Sequence, residues 1–267
     1  MNETTAATQR ILAETAAIGR GASAFDPVAL MPETRVLKIG GQSIMDRGRA
    51  ALFPLLEEIV RAKEGHALLL GAGGGTRARH AYDTALDLGM PTGVLAAIGA
   101  YVPRQNARIL QMLLARHGGI FILHDDFEKL PLYFRLGCIP IMTGMPPFSY
   151  WEKPPEKGRI PMHRTDSGVF LSAEFLGCPR VWFVKDEDGL YTADPKKDPD
   201  ARHIARIGAN ELLAMDLPDL VVERVCVEYL ARARFVREIQ IVNGLRKGEL
   251  LRALAGESVG TIIYRDA

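Results

Sequence analysis

Four short stretches of this chain carry residue types suited to chemistry on an anion. Lys38-Ile39-Gly40-Gly41 sets an amine and a glycine pair at the end of an apolar run. Glycines let backbone N–H groups approach a phosphate closely, and the ammonium adds a point charge. Glycine turns follow strands in many proteins, so this stretch alone is weak evidence. Gly71-Ala72-Gly73-Gly74-Gly75-Thr76 is a second glycine loop, ahead of a helical pattern. A helix N-terminus offers free N–H groups and the positive end of the macrodipole. The loop is neither a GxxxxGK[ST] phosphate loop nor a GxGxxG fingerprint. Arg77 and Arg79 either add charge there or are solvated helix residues. Thr165-Asp166 opens a helix that either residue could cap; alternatively the aspartate orients a lysine or a Mg²⁺ ion. Finally, Val184-Lys185-Asp186-Glu187-Asp188-Gly189-Leu190-Tyr191-Thr192-Ala193-Asp194-Pro195 packs acids, a lysine, a glycine turn and an Asp-Pro break directly after an apolar run. Ligands of open α/β sheets bind beyond the strands' carboxyl ends, where such a loop lies. Two glycine loops at two strand ends predict an anion site.

The elements that must position these residues alternate. Apolar runs at 36–39, 67–70, 120–123, 139–142, 181–184, 239–242 and 260–264 read as strands. Helical patterns fall at 46–63, 77–88, 102–117, 165–175, 209–216 and 221–235. This predicts an α/β fold with a mostly parallel sheet and helices on both faces. Residues 1–30, with Ile11, Leu12, Ile18 and Phe25, read as an N-terminal arm. The remainder reads as one domain, with an N-lobe of about 31–164 and a C-lobe of about 165–267.

With 33 basic and 32 acidic residues and a net charge of +1, no global field selects nucleic acid or an anionic membrane. Cys138, Cys178 and Cys226 lack a CxxC spacing and fit a reducing compartment. Without a signal-like N-terminus or an apolar run of ~20 residues, the expected location is the cytoplasm.

In this order, the lysine–glycine start, the glycine loop, Thr165-Asp166, Asp188 to Pro195 and Gly256-Glu257-Ser258-Val259-Gly260-Thr261 resemble the amino acid kinase superfamily. The Asp-Gly-Leu-Tyr-Thr-Ala-Asp-Pro-Lys-Lys run is most similar to its bacterial uridylate kinase branch. The resemblance covers about residues 35–264. It implies a three-layer α/β/α sandwich binding Mg-ATP across the carboxyl ends of the sheet. Lys38, Gly40 and Gly41 would then meet the phosphates with Gly73 and Gly74. Asp166 would organise the lysines, making Lys38, Asp166 and Lys185 the catalytic set. Asp188, Gly189, Tyr191, Asp194, Pro195 and Lys197 would line the nucleoside pocket.

Three departures separate the chain from that branch. The branch has a lysine two positions before the aspartate of its Asp-Gly turn; here Asp186 stands there and Lys185 lies one residue earlier. In an extended segment this shift predicts a side chain turned to the opposite face. No acceptor-site aspartate appears around Gly93-Val94-Leu95-Ala96. Residues 149–163 are inserted across the expected acceptor mouth. Lys38 to Ala50, Gly144-Met145-Pro146-Pro147-Phe148, Arg164-Thr165-Asp166, Val184 to Gly189 and Val242-Asn243-Gly244-Leu245 are instead similar to the molybdenum storage proteins of diazotrophic bacteria, their β subunits above all. That likeness implies a hexameric cage depositing polyoxomolybdate or polyoxotungstate with ATP and Mg²⁺. The partner would be a homologous α-type subunit in a heterohexamer, or the chain itself in a homohexamer. A polyoxoanion needs histidine or carboxylate ligands, and His124 and His163 are the candidates for metal contact. The expected activity is an ATPase coupled to oxoanion storage. The alternatives are a uridylate kinase-like nucleoside monophosphate kinase and a non-catalytic nucleotide-binding subunit.

Overall fold

The apolar runs read as strands fold as the centre of one sheet. The computed structural model describes residues 6–11, 13–14, 27–156, 158–195, 197–217 and 219–266, so most of the expected arm lies outside the described residues. The strands are β1 (Arg35–Ile39), β2 (Leu68–Ala72), β3 (Gly119–Phe121), β4 (Ile139–Thr143), β5 (Arg180–Lys185), β6 (Leu190–Tyr191), β7 (His203–Ile204), β8 (Arg206–Gly208), β9 (Glu238–Asn243) and β10 (Thr261–Tyr264). Eight form a sheet in the order β3-β4-β2-β1-β5-β9-β10-β8, and β6 pairs with β7 apart from it. From β3 to β9 every neighbouring pair is parallel; β10 runs antiparallel to β9 and parallel to β8.

The helices are α1 (Arg49–Ala62), α2 (Thr76–Asp87), α3 (Thr92–Leu114), α4 (Leu130–Arg135), α5 (Thr165–Leu176), α6 (Ala209–Ala214), α7 (Arg224–Leu230) and α8 (Glu249–Leu254). Alternation along the strands sends side chains to two cores. Leu37, Ile39, Trp182 and Val184 pack with α1, α3 and α8, whereas Val36, Val181 and Phe183 pack with α5 and α7. The result is the three-layer α/β/α sandwich that the resemblance implies, with helices on both faces of a mostly parallel sheet as the pattern predicts. Among the described residues no helix is long and apolar enough to cross a membrane.

Two helices, α4 and α8, have no counterpart in the sequence reading, and two others differ from it in extent. The helix expected from residue 102 begins at Thr92, with Pro103 in its interior. A proline suits a first turn and normally breaks a helix interior, so the sequence alone favours a start beside Pro103. The helix expected over 221–235 is confined to Arg224–Leu230. The preceding loop bends through positive φ at Asp216 (44°) and Val221 (61°), a region costly for a β-branched side chain.

Candidate functional site

The parallel block delivers three charged side chains to one point. Lys38 is the fourth residue of β1, and Lys185 is the last residue of β5. Asp166 lies in the first turn of α5, which packs over β1 and β5. Its two carboxylate oxygens are shared: Lys38 Nζ lies 2.7 Å from Oδ1 and Lys185 Nζ 2.9 Å from Oδ2. All three side chains are buried, and all three line a cavity of about 580 Å³ at the carboxyl ends of the strands.

Lys185 therefore does not turn away, contrary to the expectation from counting back from the Asp-Gly turn. Lys38 pairs with Phe183 in the sheet, so the two side chains share a face, and Lys185 is two residues beyond Phe183 on that same face. The extra residue sits in the loop after the strand, where it changes no register. Asp186 follows on that loop and forms an ion pair with Arg47, so a cation does stand beside this acid.

Two ammonium groups share one carboxylate out of water, with the buried Glu223 carboxylate beside them, and the electrostatics reflect it. Burial pushes the Lys38 ammonium below its ordinary value, outweighing Asp166. Burial also opposes the charge on Lys185, but Asp166 and Glu223 outweigh it and raise the value. For Asp166, burial is likewise overcome: the charges of Lys185 and Lys38 hold its carboxyl well below the usual range.

The glycine loops wall the cavity by backbone contact. Gly73 N–H donates to Ile39 O at 2.9 Å and Gly40 N–H to Val184 O at 3.0 Å. A Cβ at Gly41 would lie 2.7 Å from the Gly74 carbonyl carbon and would overlap Gly75 N; one at Gly73 would collide with Gly41. Only glycine permits that approach. Asn106, fully buried on α3, donates from Nδ2 to Gly73 O (2.6 Å) and Gly74 O (3.2 Å). Its Oδ1 accepts from Arg77, which is thus turned to α3, while Arg79 lines the cavity.

The helix end expected to take an anion after the glycine loop is already filled. Thr76 N–H donates to Asp46 Oδ2 at 2.6 Å, so the chain's own carboxylate caps α2. The start of α5 is capped likewise: Arg164, Asp166 and Ser167 N–H groups all donate to the Glu223 carboxylate at 3.0–3.1 Å.

The Lys185-Asp186-Glu187 part of the loop lines this cavity, and Asp188 lines a second one of about 350 Å³ with Tyr191, Asn243 and Arg246. Asp188 accepts from Asn243 Nδ2 at 2.7 Å and pairs with Arg246. Gly189 turns at φ 131°, where a Cβ would strike Thr261. Tyr191 meets His203 edge-on, with ring centroids 5.2 Å apart. Asp194, Pro195 and Lys197 follow in an exposed turn in which Asp194 and Lys197 are 3.3 Å apart.

Neither candidate histidine belongs to a ligand cluster: among the described residues no three His, Cys, Asp or Glu are grouped to hold a metal ion. His163 is buried, its Nδ1 2.9 Å from Glu152 Oε1 and its Nε2 against Tyr229 Oη, with its ring stacked on Tyr229. It fastens the inserted segment to α7. His124 packs on Phe127, and burial lowers its pKa against the pull of Asp125.

Glu223, Asp46, Arg47, Asn106, Asn243 and Arg246 were not singled out from the sequence. Asn106, a polar residue in an apolar helical stripe, carried the one local signal.

The chain is 49% identical over 255 residues to "Molybdenum storage protein subunit beta" of Azotobacter vinelandii, covering 96% of this chain and 94% of that one. It is 28% identical over 239 residues to a uridylate kinase of Methanocaldococcus jannaschii, covering 85% and 98%. Among solved structures, a UMP kinase from Bacillus anthracis superposes with a TM-score of 0.68 at 18% identity, covering 88% of this chain and 97% of that one, a likeness of fold. Residues 33–220 match the amino acid kinase family as a whole. By this match over residues 33–220, and by 49% identity to that storage-protein subunit, the chain belongs to the amino acid kinase family.

Proposed function

We propose that this chain is the ATP-binding subunit of a molybdenum or tungsten oxoanion storage cage, in which ATP drives deposition of polyoxometalate cargo. The reading rests on the likeness to a molybdenum storage subunit and on one observation. Beside the two-lysine centre, the two helix ends that could receive an acceptor phosphate hold the chain's own carboxylates, Asp46 and Glu223. A carboxylate at a helix N-terminus, exposed for Asp46 and buried for Glu223, repels a second anion there. On this reading the cavity takes the phosphates of ATP rather than a nucleoside monophosphate.

In this reading Lys38, Lys185, Gly40, Gly41, Gly73 and Gly74 face the phosphates. The second cavity takes the nucleoside between Asp188, Gly189 and Tyr191, with Asp194, Pro195 and Lys197 at its rim. Mg²⁺ is held by one or two carboxylates together with phosphate oxygens; Asp186 and Glu187 line the phosphate cavity and fit that need. A bound Mg²⁺ would neutralise charge on the phosphates. Lys38 and Lys185 would stabilise charge as a phosphoryl group leaves. Molybdate or tungstate is cargo, for which His124 stands as a contact. His163 would have to give up Glu152 or Tyr229 to serve. The partner in this reading is an α-type subunit, as the β-subunit relative suggests. ADP release by the purified protein should be unchanged by added UMP; UMP-dependent ADP release would overturn the reading in favour of a nucleoside monophosphate kinase.

A further inference from the structure

Glu223 is separated by more than fifty residues from every group it holds, and it stands on the wall of the lysine cavity. Its carboxylate accepts three amides of the first turn of α5: Arg164 N at 3.1 Å, Asp166 N at 3.0 Å and Ser167 N at 3.0 Å. The contact runs both ways, because Glu223 N–H donates to Asp166 Oδ2 at 3.3 Å, the same oxygen that Lys185 touches. Arg164 Nε adds a charge contact at 3.6 Å. The segment delivering Glu223 passes through Val221 in the left-handed region, a conformation that persists only where its surroundings over-determine it. A cap alone does not require the capping residue to bind, through its backbone, the very carboxylate that joins two lysines.

We propose that Glu223 is a positioning residue for the Lys38–Asp166–Lys185 centre, holding Asp166 so that one oxygen meets each lysine and adding a second buried negative charge that keeps the pair able to receive phosphates. The proposal rests on the ATP-binding reading above. The charged or titratable groups facing Glu223 are Lys38, Lys185, Asp166 and Arg164, with Cys226 and Tyr82 nearby. Its charge favours the ammonium forms of both lysines, which raises the pH at which the centre loses its positive charge.

Glu223→Gln separates this role from simple capping. The amide oxygen can keep the Arg164 and Ser167 bonds, whereas the NH₂ faces the Asp166 N–H and the charge is gone. Glu174→Gln is the control: Glu174 also caps backbone amides, those of Arg234, Phe235 and Val236, with no part in the cavity. Mg-ATP affinity is measured by calorimetry from pH 6 to pH 10 on full-length protein, with thermal unfolding as the check on folding. Glu223→Gln should weaken binding about tenfold at pH 8 and move the alkaline limb of affinity down by about one pH unit. Glu174→Gln should lower the unfolding temperature and leave both binding quantities unchanged. A folded Glu223→Gln protein with wild-type affinity and an unmoved alkaline limb would overturn the proposal. Absence of Mg-ATP binding in the wild type would instead overturn the nucleotide reading itself.

Discussion

Replacing Asp166 by Asn tests the energetics of the centre directly. The asparagine keeps the shape, and its oxygen can accept from one lysine. Its NH₂ must then point at the other ammonium, donor against donor. The variant thus leaves one buried ammonium without a partner, and breaking a buried ion pair in this way costs about 3–5 kcal/mol. An upper bound comes from proton loss. A lysine of ordinary pKa 10.5 can escape the penalty by deprotonating at pH 7, which costs about 3.5 units at ~1.4 kcal/mol each, or about 5 kcal/mol. Because burial already lowers Lys38, it is the lysine that gives way, so the loss should sit nearer the lower figure, about 3 kcal/mol.

The sign with pH follows. Asp166 has a depressed folded pKa, so the stability it contributes is present above the unfolded carboxylate value and is lost as pH falls through the lower folded value. Urea unfolding of both proteins without nucleotide should show a difference of about 3 kcal/mol at pH 7. The difference should narrow toward pH 10, as the orphaned lysine loses its proton, and below about pH 4, as the unfolded wild-type chain takes up a proton that the folded Asp166 carboxylate still refuses. A difference below about 1 kcal/mol, or one independent of pH, would refute the shared-carboxylate account.

Other sites give further tests. Gly41→Ala drives a Cβ into the backbone of Gly74 and Gly75, so the loops must separate; calorimetry should find Mg-ATP binding lost or weakened by more than a hundredfold while the protein stays folded. Asn106→Ala leaves the Gly73 and Gly74 carbonyls without their donor, and urea unfolding should report a loss of about 1–3 kcal/mol, with weaker Mg-ATP binding from a looser loop.

Much of the fold was legible because the central strands are buried on both faces, which leaves short apolar runs such as 36–39 and 181–184 between helical patterns. The start of α3 was hidden by Pro103, and the short strands β6, β7 and β8 offer too few residues for a period to register. At the site, the lysines, Asp166 and the glycines announced themselves through residue type. The direction of Lys185 did not, because it is fixed by pairing with β1 rather than by distance from the Asp-Gly turn. Asp46 and Glu223 were invisible for a related reason: each caps a helix that lies about thirty or more residues away in sequence. No local pattern marks an acid for a partner that only the tertiary fold supplies.

Metal loading is the most direct test of the storage function. The protein, isolated with whatever subunits co-purify, is incubated with molybdate with and without Mg-ATP, freed of small solutes and analysed for elements. The account predicts many molybdenum atoms per subunit, dependent on Mg-ATP; background metal in both arms, or equal metal without nucleotide, would contradict it.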